Sequence, residues 1–148
     1  MITLIDLSAW VTQLKNNTSV FSTRIYKSIP DVDLSIDKLQ SPVAFVYLSE
    51  ETSDDTRLGN SAMVRQKLLS SVTVEIQIRR TATAADQSHE AVVDLIRTCR
   101  TAVFNALVGW KPTDCIKPVQ HDNGKLLKKD PRVIKWVDTF TTESIIQK

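Results

Sequence analysis

The residues able to do chemistry in this chain are few and scattered: His89 and His121, Cys99 and Cys115, and the acidic pairs Glu50-Glu51 and Asp54-Asp55. Metal ligation requires donors at spacings such as CxxC, HxxxH or HExxH, and none occurs. A catalytic nucleophile requires a base held beside it. No GxSxG elbow is present, and Cys99 falls on the apolar stripe of a helix, where a free cysteine behaves as a small hydrophobe. Phosphate cradles are built from clustered glycines, whereas Gly59, Gly109 and Gly124 stand apart. Adjacent carboxylates on one polar loop hold no fixed acid–base geometry. Both histidines read as solvated surface residues. The chain therefore reads as a protein without enzymatic activity, with no catalytic, cofactor-binding or metal-binding residues.

Charge excludes little more. A net charge of +2 gives no general drive toward nucleic acid. The local cluster Lys125, Lys128, Lys129, Arg132 and Lys135 would suit phosphates, but no aromatic interleaves with it for base stacking. Lysines that guard a sheet edge are the better reading. Two cysteines make no disulfide framework, so a reducing compartment is expected. The N-terminal MITLIDLSAW lacks the basic lead and apolar run of a signal peptide, and no run reaches the length of a membrane span. A length of 148 residues with 42% hydrophobic content fits one globular domain.

The element that must organise such a domain is a long helix. Thr83 and Asp86 suit its start, Leu95, Ile96, Cys99, Val103 and Leu107 share one face, and Gly109 suits its stop. Trp110 is expected to fold back on Phe104, and Pro112 prevents continuation. About six turns span roughly 36 Å. A shorter helix is expected over Thr3 to Asn16, capped by Thr3 with Asp6, with Leu4, Leu7, Trp10, Val11 and Leu14 on one face. Asn123-Gly124 between extended runs predicts a hairpin turn, Asp130-Pro131 a second turn, and Val133 to Thr142 a closing strand with a frayed tail.

Of the remaining strands, Val20 to Lys27 reads as short, and Ile29 to Gln40 as loop. Val43 to Leu48 is apolar throughout, which predicts a central strand covered on both faces. Ser49 to Ser61 reads as a polar loop. From Val64 to Arg80 apolar residues alternate with polar ones, predicting a strand with one wet face. Its length of roughly 55 Å exceeds a small domain. Either a bulge near Leu69-Ser70-Ser71 bends it, or its first part is one leg of a projecting β-arm, with the other leg continuing from Leu48. Such an arm would expose Val64 and Leu68 and favour self-association. The fold class expected is α+β: a mostly antiparallel sheet with a short N-terminal helix and one long helix packed on one side.

The long helix running into Leu107, Gly109, Trp110 and Pro112, the Gly124 region, and the last strand with Trp136 and Phe140 together resemble the tail terminator proteins of long-tailed bacteriophages. The similarity covers most of the chain as an arrangement, and residues 1–148 are expected to form a single tail-terminator-like domain. It implies a structural virion protein: a homohexameric ring that caps the tail tube, stops its elongation and offers a joining surface to the head-to-tail connector. Its partners would be further copies of itself, the tube protein and the connector protein, with no membrane partner, and DNA only as the passing genome. Its place would be the head-proximal end of the tail, after assembly in the host cytoplasm. Gly109, Trp110, Pro112, Gly124, Trp136 and Phe140 read as fold determinants, and Tyr47, Asp54, Asp55, Arg57, Val64 and Leu68 as candidate subunit or tube contacts. Another ring-forming tail or neck component, and a small nucleic-acid-binding module, are the alternatives.

Overall fold

The computed structural model describes residues 2–29, 41–54, 64–79, 85–129 and 133–148. Its elements run α1 (Leu7–Asn17), β1 (Ile25–Lys27), β2 (Val43–Ser53), β3 (Arg65–Arg79), α2 (Ala85–Leu107), β4 (Gln120–Lys129) and β5 (Val133–Gln147). The five strands form one sheet in the order β1-β2-β3-β5-β4, antiparallel except for the β1–β2 pair. This is the α+β arrangement expected, with a short first helix and a longer second one.

Local chemistry moves several boundaries. The first helix begins at Leu7, because Asp6 is itself the N-cap: its carboxylate accepts the Ser8 amide at 2.9 Å. Leu4 then lies outside the helix and is exposed, while Trp10 and Leu14 are fully buried. The strand expected from Val20 is only three residues long. Phe21 sits in the preceding turn, where Ser22 takes a positive φ of 56°. The loop expected over Ile29 to Gln40, the helix start at Thr83 and the turn at Asp130-Pro131 lie outside the described residues.

The core packs α1 and α2 on one side of the sheet, joining Trp10, Leu14, Ala44, Val46, Val72, Val74, Ile76, Cys99, Val103, Leu107 and Phe140. Val43 to Leu48, expected to be central, is the second strand of the sheet, between β1 and β3, and β3 takes the middle position. The wet face expected on β3 holds at Arg65, Lys67 and Arg79 but not at its centre, where Thr73, Glu75 and Gln77 are buried, as are Phe45 beside them and Val137 on β5. Polar residues tolerate that burial by pairing locally; the Gln77 amide donates to the Glu75 carboxylate. Alternation reports which residues share a face, and it does not report what covers the polar one.

The bulge expected near Leu69-Ser70-Ser71 is absent from the long strand. β3 stays continuous for 15 residues, about 50 Å, and the bulge falls on its partner. Pairing passes from Leu48↔Val72 to Glu50↔Ser71, leaving Ser49 as the extra residue. The Ser49 hydroxyl donates to the Ser71 carbonyl and accepts from Thr73, both at 3.0 Å. Ser49 to Ser53 are therefore strand, where a loop was expected, and they form the second leg of the arm. A third strand accompanies them, since β5 pairs with β3 as far as Arg65↔Gln147 and Lys148 exchanges backbone hydrogen bonds with Val64 at 2.8 and 3.0 Å. The tail expected to fray is stitched into the sheet.

The largest correction concerns Asn123-Gly124. Those residues lie inside β4, paired Asn123↔Thr139 and Gly124↔Asp138, with Asp122 bulged. A glycine within a strand marks a bulge or a close approach as readily as a turn. Here a Cβ on Gly124 would collide with the Asp138 carboxylate and lie 2.9 Å from Arg100 Nη2.

Candidate functional site

Asp138 is a charged side chain with no exposed surface. β5 carries it on the helix-facing side, between Trp136 and Phe140, opposite Gly124. α2 brings Arg100 over it, with Nε to Oδ2 at 2.9 Å and Nη2 to Oδ1 at 3.0 Å, a bidentate pair. The Trp136 indole donates to Oδ2 at 3.1 Å, and His121 Nε2 lies 3.0 Å from Oδ1. The carboxylate is thus saturated with partners, which is what allows it to be buried. Aromatics close the cluster: the Arg100 guanidinium lies 4.6 Å from the Trp136 ring centre and 5.4 Å from that of Phe104. His121 stacks on Phe104 at 4.4 Å and meets Phe140 at 5.3 Å.

Such an arrangement pins α2 to β4 and β5. His121, expected on the solvated surface, is instead half-buried, because its ring fills the space between Phe104 and Phe140. Gly124, Trp136 and Phe140 all meet here, and Arg100, His121 and Asp138 were missed. The available signal was an aspartate inside the apolar stripe Ile134, Trp136, Phe140. Beside the cluster, Val93, Ile96, Arg97, Arg100, Phe104 and Trp136 line an open groove of about 430 Å³.

Gly109, Trp110 and Pro112 meet at a second place. Gly109 has φ of 85°, the left-handed conformation expected of a helix terminator. Its amide, however, donates to Val119 O at 2.9 Å, and Val119 returns a bond to Trp110 O at 2.8 Å. Trp110 packs edge-on against Trp10, ring centres 5.5 Å apart. The stop is a crossing of two segments, sealed by the first helix.

The candidate contact residues spread along the arm. Tyr47 is buried at 9% exposure, near the bulge. Asp54 closes the end of the β2–β3 ladder: its carboxylate accepts the Lys67 amide at 2.7 Å and its own amide donates to Lys67 O at 3.0 Å. Asp55 and Arg57 lie outside the described residues. Val64 is 43% exposed as expected, but Leu68 is 5% exposed, so the arm does not offer it to a partner. Leu69, on the other face, is 43% exposed and takes that place. Leu126 and Leu127, on the edge strand β4, are also exposed apolar residues that the sequence reading passed over. Lys135 is buried and does not belong with the edge lysines.

Both cysteines are buried and free. Burial pushes the Cys99 thiol up to about 11, and desolvation is also the main cause of the rise at Cys115. Among the described residues no group of three or more His, Cys, Asp or Glu side chains is placed to hold a metal ion, and no helix is long and apolar enough to cross a membrane.

Comparison with known proteins places this fold. No curated protein sequence matches the chain. A chain in the virion of a native gene transfer agent particle shares the fold, with a TM-score of 0.52 and 14% identity over 91% of each chain. The family model described as phage tail terminator protein matches residues 1–148. The chain belongs to the phage tail terminator protein family and is a structural protein of the phage tail.

Proposed function

We propose that this protein forms a homohexameric ring that caps the tail tube at its head-proximal end, stops tube elongation and offers the connector its joining surface. In this reading the whole chain acts as one assembly domain, put together in the host cytoplasm, and the genome passes through the ring. The observation that carries the reading is the three-stranded extension of β2, β3 and β5. Its outer part keeps Val64 and Leu69 exposed, and a sheet reaching about 50 Å is far longer than the core that α1 and α2 cover. Assembly onto a neighbouring subunit or the tube gives that length and those side chains a partner. Tyr47, Asp54, Asp55, Arg57 and Val64 belong to one stretch of the sequence, residues 47–64, and are the proposed contact region.

The test is the solution mass of the purified protein by light scattering, with negative-stain images of the eluted species. A six-fold ring with an open centre is expected. Val64→Asp with Leu69→Asp should abolish the ring while the circular dichroism of the monomer stays native; an intact ring would reject this contact region.

A further inference from the structure

The two free edges of the sheet carry opposite charge. β1 covers β2 only from Ala44 to Val46, so beyond that point no strand among the described residues pairs with the outer side of β2. That open edge reads Ser49-Glu50-Glu51-Thr52-Ser53 and ends at Asp54: three carboxylates and no cation. Glu50, Thr52 and Ser53 are exposed. At the opposite end of the sheet, β4 is the last strand. Its second half reads Lys125-Leu126-Leu127-Lys128-Lys129: three cations and no carboxylate, with Leu126 at 47% and Leu127 at 44% exposure.

An open strand edge presents unpaired N–H and C=O groups, and a second strand laid against it satisfies them. Lysines on one edge repel another copy of that edge, and carboxylates do the same on the other. Acidic edge against acidic edge and basic against basic are both disfavoured, while acidic against basic is attractive. The pairing this selects is head-to-tail, and a heterologous head-to-tail contact is the kind that generates a ring. The two edges are also offset along the strands. Glu51 lies level with Thr142 through Ser70, and Leu126 level with Trp136, which puts them six residues apart on β5 (142 − 136). When strand addition closes a sheet into a barrel, its strands are tilted by about 35–45°, and that closure requires a staggered register of this kind.

We infer that the ring is closed by strand addition between copies of this chain, the Ser49–Ser53 edge of one subunit pairing with the Lys125–Lys129 edge of the next. This rests on the ring reading above and names its contact. It also gives β1 a role: by covering the inner half of the β2 edge, it leaves only the acidic half open. Leu126 and Leu127 lose their exposure in the joint.

Two sets of variants test the contact. Glu50→Lys with Glu51→Lys, and separately Lys125→Glu with Lys128→Glu, should each lose the ring species in light scattering while keeping native circular dichroism. One chain carrying all four changes should regain it. Independently of charge, a chain with Thr52→Cys and Leu127→Cys, treated with a short bis-maleimide, should give a ladder of covalent multimers up to the ring size; either single variant should stop at the monomer. A wild-type ring with no ladder, and with both charge reversals still ring-forming, would overturn this contact and leave the ring reading standing. A wild-type chain that stays monomeric alone and on tail tubes would overturn the ring reading and this contact with it.

Discussion

At the scale of the residue, Asp138 ties one helix and two strands together. Its two oxygens hold a guanidinium, an indole and an imidazole drawn from α2, β4 and β5, and Gly124 is a glycine because that carboxylate occupies the place of a Cβ. Asp138→Asn keeps the shape but removes the charge facing Arg100. Fully buried pairs cost about 3–5 kcal/mol when broken, and because Arg100 is about one third exposed the expected loss is lower, about 2–3 kcal/mol. Urea unfolding checks it, and an unchanged midpoint would show that the cluster contributes nothing. Cys99 gives a second test at this scale. Its thiol is raised from 9.0 to about 11 by burial, so the folded chain keeps the proton longer than the unfolded one. That contribution is whole below about pH 9 and is lost as pH rises toward 11. The Cys99→Ala variant should lose less stability than the wild type between pH 8.5 and 11, read as urea midpoints; parallel profiles would contradict it.

At the scale of the element, the apolar stripes agreed with expectation, while boundaries and polar faces diverged from it. The face of α2 through Cys99, Val103 and Leu107 and the even-numbered stripe of β3 are buried as their periodicity requires, because a regular element repeats one local geometry that side-chain pattern reports directly. Gly109 shows the limit. Its left-handed backbone was legible, but the partner of its amide is Val119, ten residues on, and that partner sends Trp110 to Trp10. Gly109→Ala should cost about 1–2 kcal/mol, the penalty of a left-handed alanine, since nothing lies within 4 Å of the position where its Cβ would stand. A thermal shift near zero would place the strain elsewhere. Asn123-Gly124 shows the converse: a sequence ideal for a turn was drawn into a strand because β5 supplies a full ladder beside it.

At the scale of the whole molecule, the sheet is longer than the body that α1 and α2 cover, and the surplus is built from three strands distant in sequence. Isolated tail tubes offer the decisive substrate for the proposed role. Added protein should cap their ends in negative-stain images and halt further elongation by free tube subunits, whereas the Val64→Asp, Leu69→Asp chain should do neither. Tubes left uncapped by the wild-type protein would move the role to another neck component.

What the sequence determined alone was the set of elements and their buried faces: an α+β chain with a short and a long helix, an alternating long strand, a glycine stop, and a resemblance carried by those features. These depend on neighbours within a few residues, where periodicity and capping chemistry act. Only the tertiary structure decided that Leu68 is buried and Leu69 is not, that Gly124 makes room for a carboxylate, that His121 belongs to the interior, and that the last residues pair with Val64. Each of these depends on a group far along the chain whose approach is set by the packing of the sheet. The acidic and basic edges join the two levels: their charges are written in the sequence, and their positions at opposite ends of one sheet follow from the strand order.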